Sequence, residues 1–208
     1  MSLNRTISKV GSAIVTETVF LFALFLIVDF LYGQFFVCFF LPIGFILMTA
    51  GLHHECENDR IVAGNAGMLF AAVYCTLIMI VYFTQITTVA NERLNEQAAM
   101  LIDFQKHGLI FNFDLLGYGM MALSTFFTGL SMKARDKVDK WLKVLLIVHG
   151  VFFPGCVFMP MTGMFAKLPT AENNLGGVIA LVVWCIYFFP VSILSFLHFQ
   201  KEKTDSCL

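Results

Sequence analysis

Long apolar runs, each bounded by charged or Asn-rich residues, dominate this chain. A helix needs about 20 apolar residues to cross the roughly 30 Å hydrocarbon layer at about 1.5 Å per residue. By that measure the first run, Gly11 to Leu52, is about twice too long for one crossing and must turn back, with Gly33-Gln34 as the expected turn. Spans are therefore predicted at 11–32, 34–52, 61–84, 108–132, 141–165 and 175–199. The pattern predicts an all-α fold: a polytopic membrane helix bundle of six transmembrane helices in a single membrane domain, 1–208. The connection 85–107 is too polar to span. Its apolar residues recur at Ile86, Ala90, Leu94, Ala98 and Leu101, with Glu92, Glu96 and Asp103 on the opposite face, which predicts an amphipathic helix. Being slightly acidic, this segment is better suited to roofing the bundle on the outer side than to anchoring on anionic lipid.

Composition narrows the class. With 59% hydrophobic and only 13% charged residues, the chain has far more apolar surface than a soluble domain of 208 residues could bury. Thirteen Lys and Arg against fourteen Asp and Glu leave no basic field, which excludes nucleic acid as a partner. The bilayer is the implied partner, with a small molecule or lipid as ligand and a homo-oligomer as a compatible assembly. Sorted by position, the basic residues favour one side: Arg5, Lys9, Arg60, Lys133, Arg135, Lys137, Lys140, Lys143, Lys201 and Lys203 face Arg93, Lys106 and Lys167. Under the positive-inside bias both termini are expected to be cytoplasmic, in a cell membrane, the inner one if the source is bacterial. Arg5 and Lys9 ahead of an apolar stretch suit a signal peptide, but the run passes Phe30 without a small-residue cleavage site and reads as a first membrane helix.

Ionisable groups inside a bilayer are costly, so each is a functional candidate. Glu17 lies about 9 Å inside the first span, Asp114 about as far inside the opposite end of the fourth, and His149 near the middle of the fifth. Asp29 is close enough to the surface to be wetted. On the fourth helix Asp114, Tyr118, Thr125 and Thr128 fall within about 80° of one another. Thinner polar stripes are read on the third helix (Asn65, Ala72, Thr76) and the sixth (Trp184, Tyr187, Ser195, His198). Such stripes either line a cavity or form interhelical hydrogen bonds. Pro42, Pro154, Pro160 and Pro190 lie inside spans, and His149-Gly150 followed by Pro154 marks the expected break.

Metal and catalytic motifs are sparse. His53, His54, Glu55, Cys56, Glu57 and Asp59 crowd one loop, yet adjacent histidines cannot readily share an ion and no second ligand pair follows. Cys156, Met159, Met161 and Met164 could offer sulfur to Cu(I), but Met is also a routine apolar filler. The six cysteines show no CxxC. No HExxH, GxSxG or glycine-rich phosphate loop occurs. The sequence implies no cofactor, metal or catalytic residue.

From Val81 to Gly129 the chain resembles a set of small, uncharacterised prokaryotic multipass membrane proteins. The resemblance lies in VYFTQITTV, then HG at His107-Gly108, then DLLGYGMMALSTFFTGL. It implies about six helices, an outer roof between the third and fourth, and Asp114, Gly117 and Tyr118 as members of the motif. The expected function is small-solute binding or transport, with proton coupling as its extension. Tyr118, Asp114 and Gln85 would lie at the mouth of the pathway, His149 deeper and Glu17 toward the cytoplasm. The alternative is a non-transporting sensor, ligand-binding module or assembly partner, for which the small residues Gly64, Ala71 and Cys75 offer a contact face.

Overall fold

The computed structural model describes residues 3–164 and 175–201. The predicted end of the fifth span at Phe165, together with Lys167, Lys203 and Cys207, lies outside them. The helices are α1 (Leu3–Ile27), α2 (Leu31–His54), α3 (Ile61–Thr84), α4 (Glu96–Ile102), α5 (Leu109–Ser131), α6 (Lys137–His149), α7 (Phe152–Met161) and α8 (Leu175–Gln200). No strand occurs among the described residues. Six helical segments are long and apolar enough to cross a membrane, with α6 and α7 counting together as one of them. Large apolar side chains such as Phe20, Leu69, Ile80, Val62 and Ile186 point outward. In a bilayer these meet acyl chains rather than water.

The six spans close into a ring in chain order. α1 packs on α2, α2 on α3, α3 on α5, α5 on α6 and α7, α6 on α8, and α8 returns to α1. Small residues let the backbones approach. A Cβ added at Gly11 would lie 2.6 Å from the Leu47 Cβ and 2.7 Å from the Met48 nitrogen, and one at Gly51 would run into the Ser8 side chain. Gly67 makes the same room for Thr128 between α3 and α5. Without a hydrophobic force between helices in lipid, close packing of this kind holds the bundle together.

Three predicted boundaries move. The first hairpin turns at Asp29, whose φ of 54° places it in the left-handed region that aspartate tolerates. Gly33 and Gln34 instead belong to α2 and secure that turn: Phe30 folds over Gly33, and the Gln34 side chain donates to the Phe25 carbonyl at 3.1 Å. The third span runs on through a π-helical turn, Gln85–Val89. The fifth span breaks at Gly150-Val151, as His149-Gly150 suggests, and Pro154 sits in the first turn of α7, where a missing N–H costs nothing. The predicted polar stripe of α3 also changes face. Asn65, Ala72 and Thr76 are exposed, whereas Gly64, Gly67, Ala71, Tyr74, Cys75 and Ile78 are buried. The small-residue face is thus consumed within the chain itself: Gly64 meets His53, and the Cys75 thiol donates to the Pro42 carbonyl at 3.2 Å.

Because the α1–α2 seam is tight at Gly11, Gly11→Ala lowers stability by about 1–3 kcal/mol through overpacking. Gly155→Ala, whose added Cβ would meet only the Met159 sulfur at 3.9 Å, leaves it unchanged or slightly raised. Thermal unfolding of the two variants in nanodiscs checks this pair.

Candidate functional site

Most buried hydroxyls return their proton to their own helix. Ser12 donates to the Ser8 carbonyl at 3.0 Å, Thr18 to Ile14 at 2.8 Å, and Ser195 to Val191 at 2.8 Å. An exception is Ser124, which crosses from α5 to the Gly67 carbonyl of α3 at 2.8 Å. The hydrogen-bonding capacity of these hydroxyls is met within the chain. The functional candidates are the groups that this local bonding leaves over.

Asp114 is the clearest of them. It faces the interior as the α5 periodicity requires, is 6% exposed, and its Oδ1 has no hydrogen-bond partner. Around it stand side chains of neighbouring helices: the Tyr82 hydroxyl faces its carboxyl, and Cys38, Tyr74 and Tyr118 interact with the same group. The Tyr74 hydroxyl is likewise buried without a partner. Tyr74 and Tyr118 pack at 5.8 Å between ring centroids, and Tyr118 meets Trp184 edge-on at 5.4 Å. An unanswered carboxyl oxygen and an unanswered phenol buried in one cluster are expensive, and such groups call for an explanation in strain, chemistry or a bound water, ion or solute. Tyr74, Tyr82 and Cys38 escape sequence reasoning. In helices apolar on every side, nothing singles out which tyrosine turns inward.

His149 is placed next to this cluster but is fully engaged. The Trp184 indole N–H, which can only donate, points at Nε2 from 3.2 Å, so that nitrogen is the acceptor and the ring proton sits on Nδ1. Nδ1 lies 2.8 Å from the Thr125 hydroxyl, which passes its own proton to the Ala122 carbonyl at 2.9 Å. Phe152, Tyr187 and Phe188 enclose the ring. The chain of donors is complete, and His149 holds the indole of Trp184 in place.

Gln85 closes the end of the bundle opposite the N-terminus. Only 2% exposed, it donates from Nε2 to the Ile102 carbonyl at 2.8 Å and accepts from the Phe104 N–H at 3.0 Å. The π-turn aims it there. Phe104 is thereby pressed onto Phe35, Tyr82 and Phe111, forming an aromatic layer that includes the Tyr82 facing Asp114. Gln85 thereby pins the 85–107 connection. In place of one long amphipathic helix, that connection consists of the π-turn, the short α4 and a 3-10 turn, Phe104–Lys106.

The other end is held by an ion network that the charge count does not reveal. Arg5 of α1 donates to Glu55 Oε1 at 3.0 Å, and Arg135 and His198 approach Glu55 Oε2 at 3.6 and 3.5 Å. The far nitrogen of His198 lies 2.8 Å from Asp139, which Lys201 reaches at 3.1 Å. Four separate stretches of chain meet there. Neighbours hold the Glu55 carboxyl down to about 2, His198 first and Arg5 beside it, against the effect of burial.

Glu17 joins none of these groups. It is exposed on the outside of the ring, in a groove between α1 and α8. Among the described residues no group of three or more His, Cys, Asp or Glu side chains is arranged to hold a metal ion. No family model, curated protein or solved structure matches the chain. Of the resemblance to small multipass proteins, six apolar helices are what the fold supports.

Two outcomes follow from the sealed ends. Because the folded carboxyl of Glu55 titrates below its ordinary 4.5, the network adds stability that is present above about pH 4.5 and lost as the pH falls toward about 2. The thermal midpoint should drop across that interval in the wild type and markedly less in Glu55→Gln. At the opposite end, Gln85→Ala removes two hydrogen bonds and should speed amide exchange over 102–107 about tenfold, with α5 beyond it unchanged.

Proposed function

We propose that this protein is an integral membrane protein that binds a small polar solute at Asp114 and carries it across the bilayer. One observation carries the reading: Asp114 Oδ1 is buried with no partner, beside an equally unpartnered Tyr74 hydroxyl. The closed arrangement at both ends supports it, since a site between a pinned roof and an ion lock has the form of an occluded state. The roof would open on one side and the Glu55–His198–Asp139 network on the other.

Orientation follows from the ten-to-three division of basic residues, which argues for cytoplasmic termini and an outward-facing roof in a cell membrane. Proton coupling is part of the proposal in a reduced form. Asp114 is the one acid in the cluster, and exchange of its proton for solute would couple the two flows. His149 supports Trp184 in this scheme, Tyr118 and Tyr82 shape the site, Gln85 works the roof, and Glu17 lies off the route. The second reading, a membrane protein that assembles with others, is favoured by the position of Glu17.

The test uses proteoliposomes loaded with a pH-sensitive dye and a panel of small amines, carboxylates, sugars and amides. At least one solute should drive proton flux that falls tenfold or more in Asp114→Asn, with that variant eluting and melting like the wild type. Flux or binding absent for every solute, or unchanged by Asp114→Asn, contradicts the proposal.

A further inference from the structure

The groove that holds Glu17 is independent of the interior cluster. It has a volume of about 350 Å³ and is floored by Ala13 and Thr16, with Phe20, Phe189 and Phe196 as walls. Phe20 and Phe189 bridge α1 and α8 at 6.5 Å between ring centroids. Glu17 is the acid among these apolar surfaces, and it lies eight residues from Lys9 and ten from Ile27 along α1. At about 1.5 Å per residue this places it about 12 Å and about 15 Å from the two ends of the membrane-facing stretch. A carboxyl on so short a side chain cannot reach either interface from there. Groups of this kind almost always pair inside the membrane.

Its own chain supplies no such partner. None of the described ion pairs includes Glu17. The nearest cation along α1, Lys9, sits over the Phe196 ring at 4.8 Å, at the terminal end of the groove. Among the described residues, the Lys and Arg lie in connections or within the first two turns of a helix, and His149, the one histidine at mid-span, is 1% exposed. A second copy would therefore bring no cation to Glu17, and a lipid acyl chain would fill the groove while leaving the acid unanswered. We infer that the α1–α8 groove is a docking site for a transmembrane helix of a different protein that carries a basic side chain at mid-bilayer depth. The small floor residues admit that side chain, the carboxylate pairs with its charge, and the phenyl walls cover its stem.

The experiment co-reconstitutes the full chain, carrying an acceptor dye at its N-terminus, with donor-labelled leucine-rich transmembrane peptides. One peptide has a single central lysine, and its control has leucine there. Energy transfer should show the lysine peptide associating at least tenfold more tightly than the control. Glu17→Gln should remove the difference, and so should Ala13→Phe, which fills the groove but keeps the acid. Both variants are checked for wild-type elution and melting. A third variant, Phe20→Leu, widens the groove without adding bulk and keeps the preference, so the inference remains testable if Ala13→Phe misfolds. Equal association of the two peptides with the wild type overturns the inference, as does a lysine preference that survives Glu17→Gln. Self-association that depends on Glu17, without lysine preference, overturns it in favour of a second copy.

Discussion

The hydrocarbon layer contains no water to answer a polar group, and this structure is organised by that constraint. Every donor and acceptor within the spans must find a partner in the chain or keep an expensive vacancy. Backbone groups are met by helices. Serines and threonines turn back on their own carbonyls, so that most of the apparent polarity of α1 and α5 is used up locally. His149 is met by Trp184 and Thr125. Of the other buried atoms without a hydrogen bond, His53 Nδ1 lies at the end of α2 and Glu55 Oε2 and His198 Nε2 face each other in the ion network, so Asp114 and Tyr74 stand apart inside the ring and Glu17 outside it.

The two ends obey the same rule by different means. At the end with the termini, charges that are costly to bury are grouped so that each carboxylate has several cations, and the network joins α1, α2, α6 and α8 in one register. Such networks add little net stability over an apolar alternative but break sharply when one member is removed, a property suited to a latch. The opposite end relies on one amide and a stack of aromatic rings. Between them, glycine contacts bring the helices close together, Gly117 of α5 against Ile78 of α3 among them.

Much of the fold was legible in the sequence because a bilayer imposes a length on apolar segments. Six spans and the inward stripe of α5 follow from length and helical periodicity, and the break after His149 from Gly150 and Pro154. The stripe of α3 faces outward for a physical reason. That helix is apolar all round, and Asn65 and Thr76 stand on its outward face, where Thr76 satisfies its hydroxyl at the Ala72 carbonyl. Periodicity says which residues share a face, not which neighbour that face meets. For the same reason Tyr74 and Tyr82 could not be tied to Asp114, nor Glu55 to His198, 143 positions later in the chain. Glu17 shows the limit from the other side: its depth was readable, but its direction was not.

A solute bound at Asp114 would lie within reach of the Tyr74 hydroxyl as well, since both groups are buried without a partner. A high-resolution density map of the full chain in nanodiscs examines it most directly. The expected map shows density that belongs to no protein atom, within hydrogen-bonding reach of both Asp114 Oδ1 and the Tyr74 hydroxyl. A Tyr74 hydroxyl bonded straight to Asp114, with the surrounding side chains closed over the gap, would contradict it.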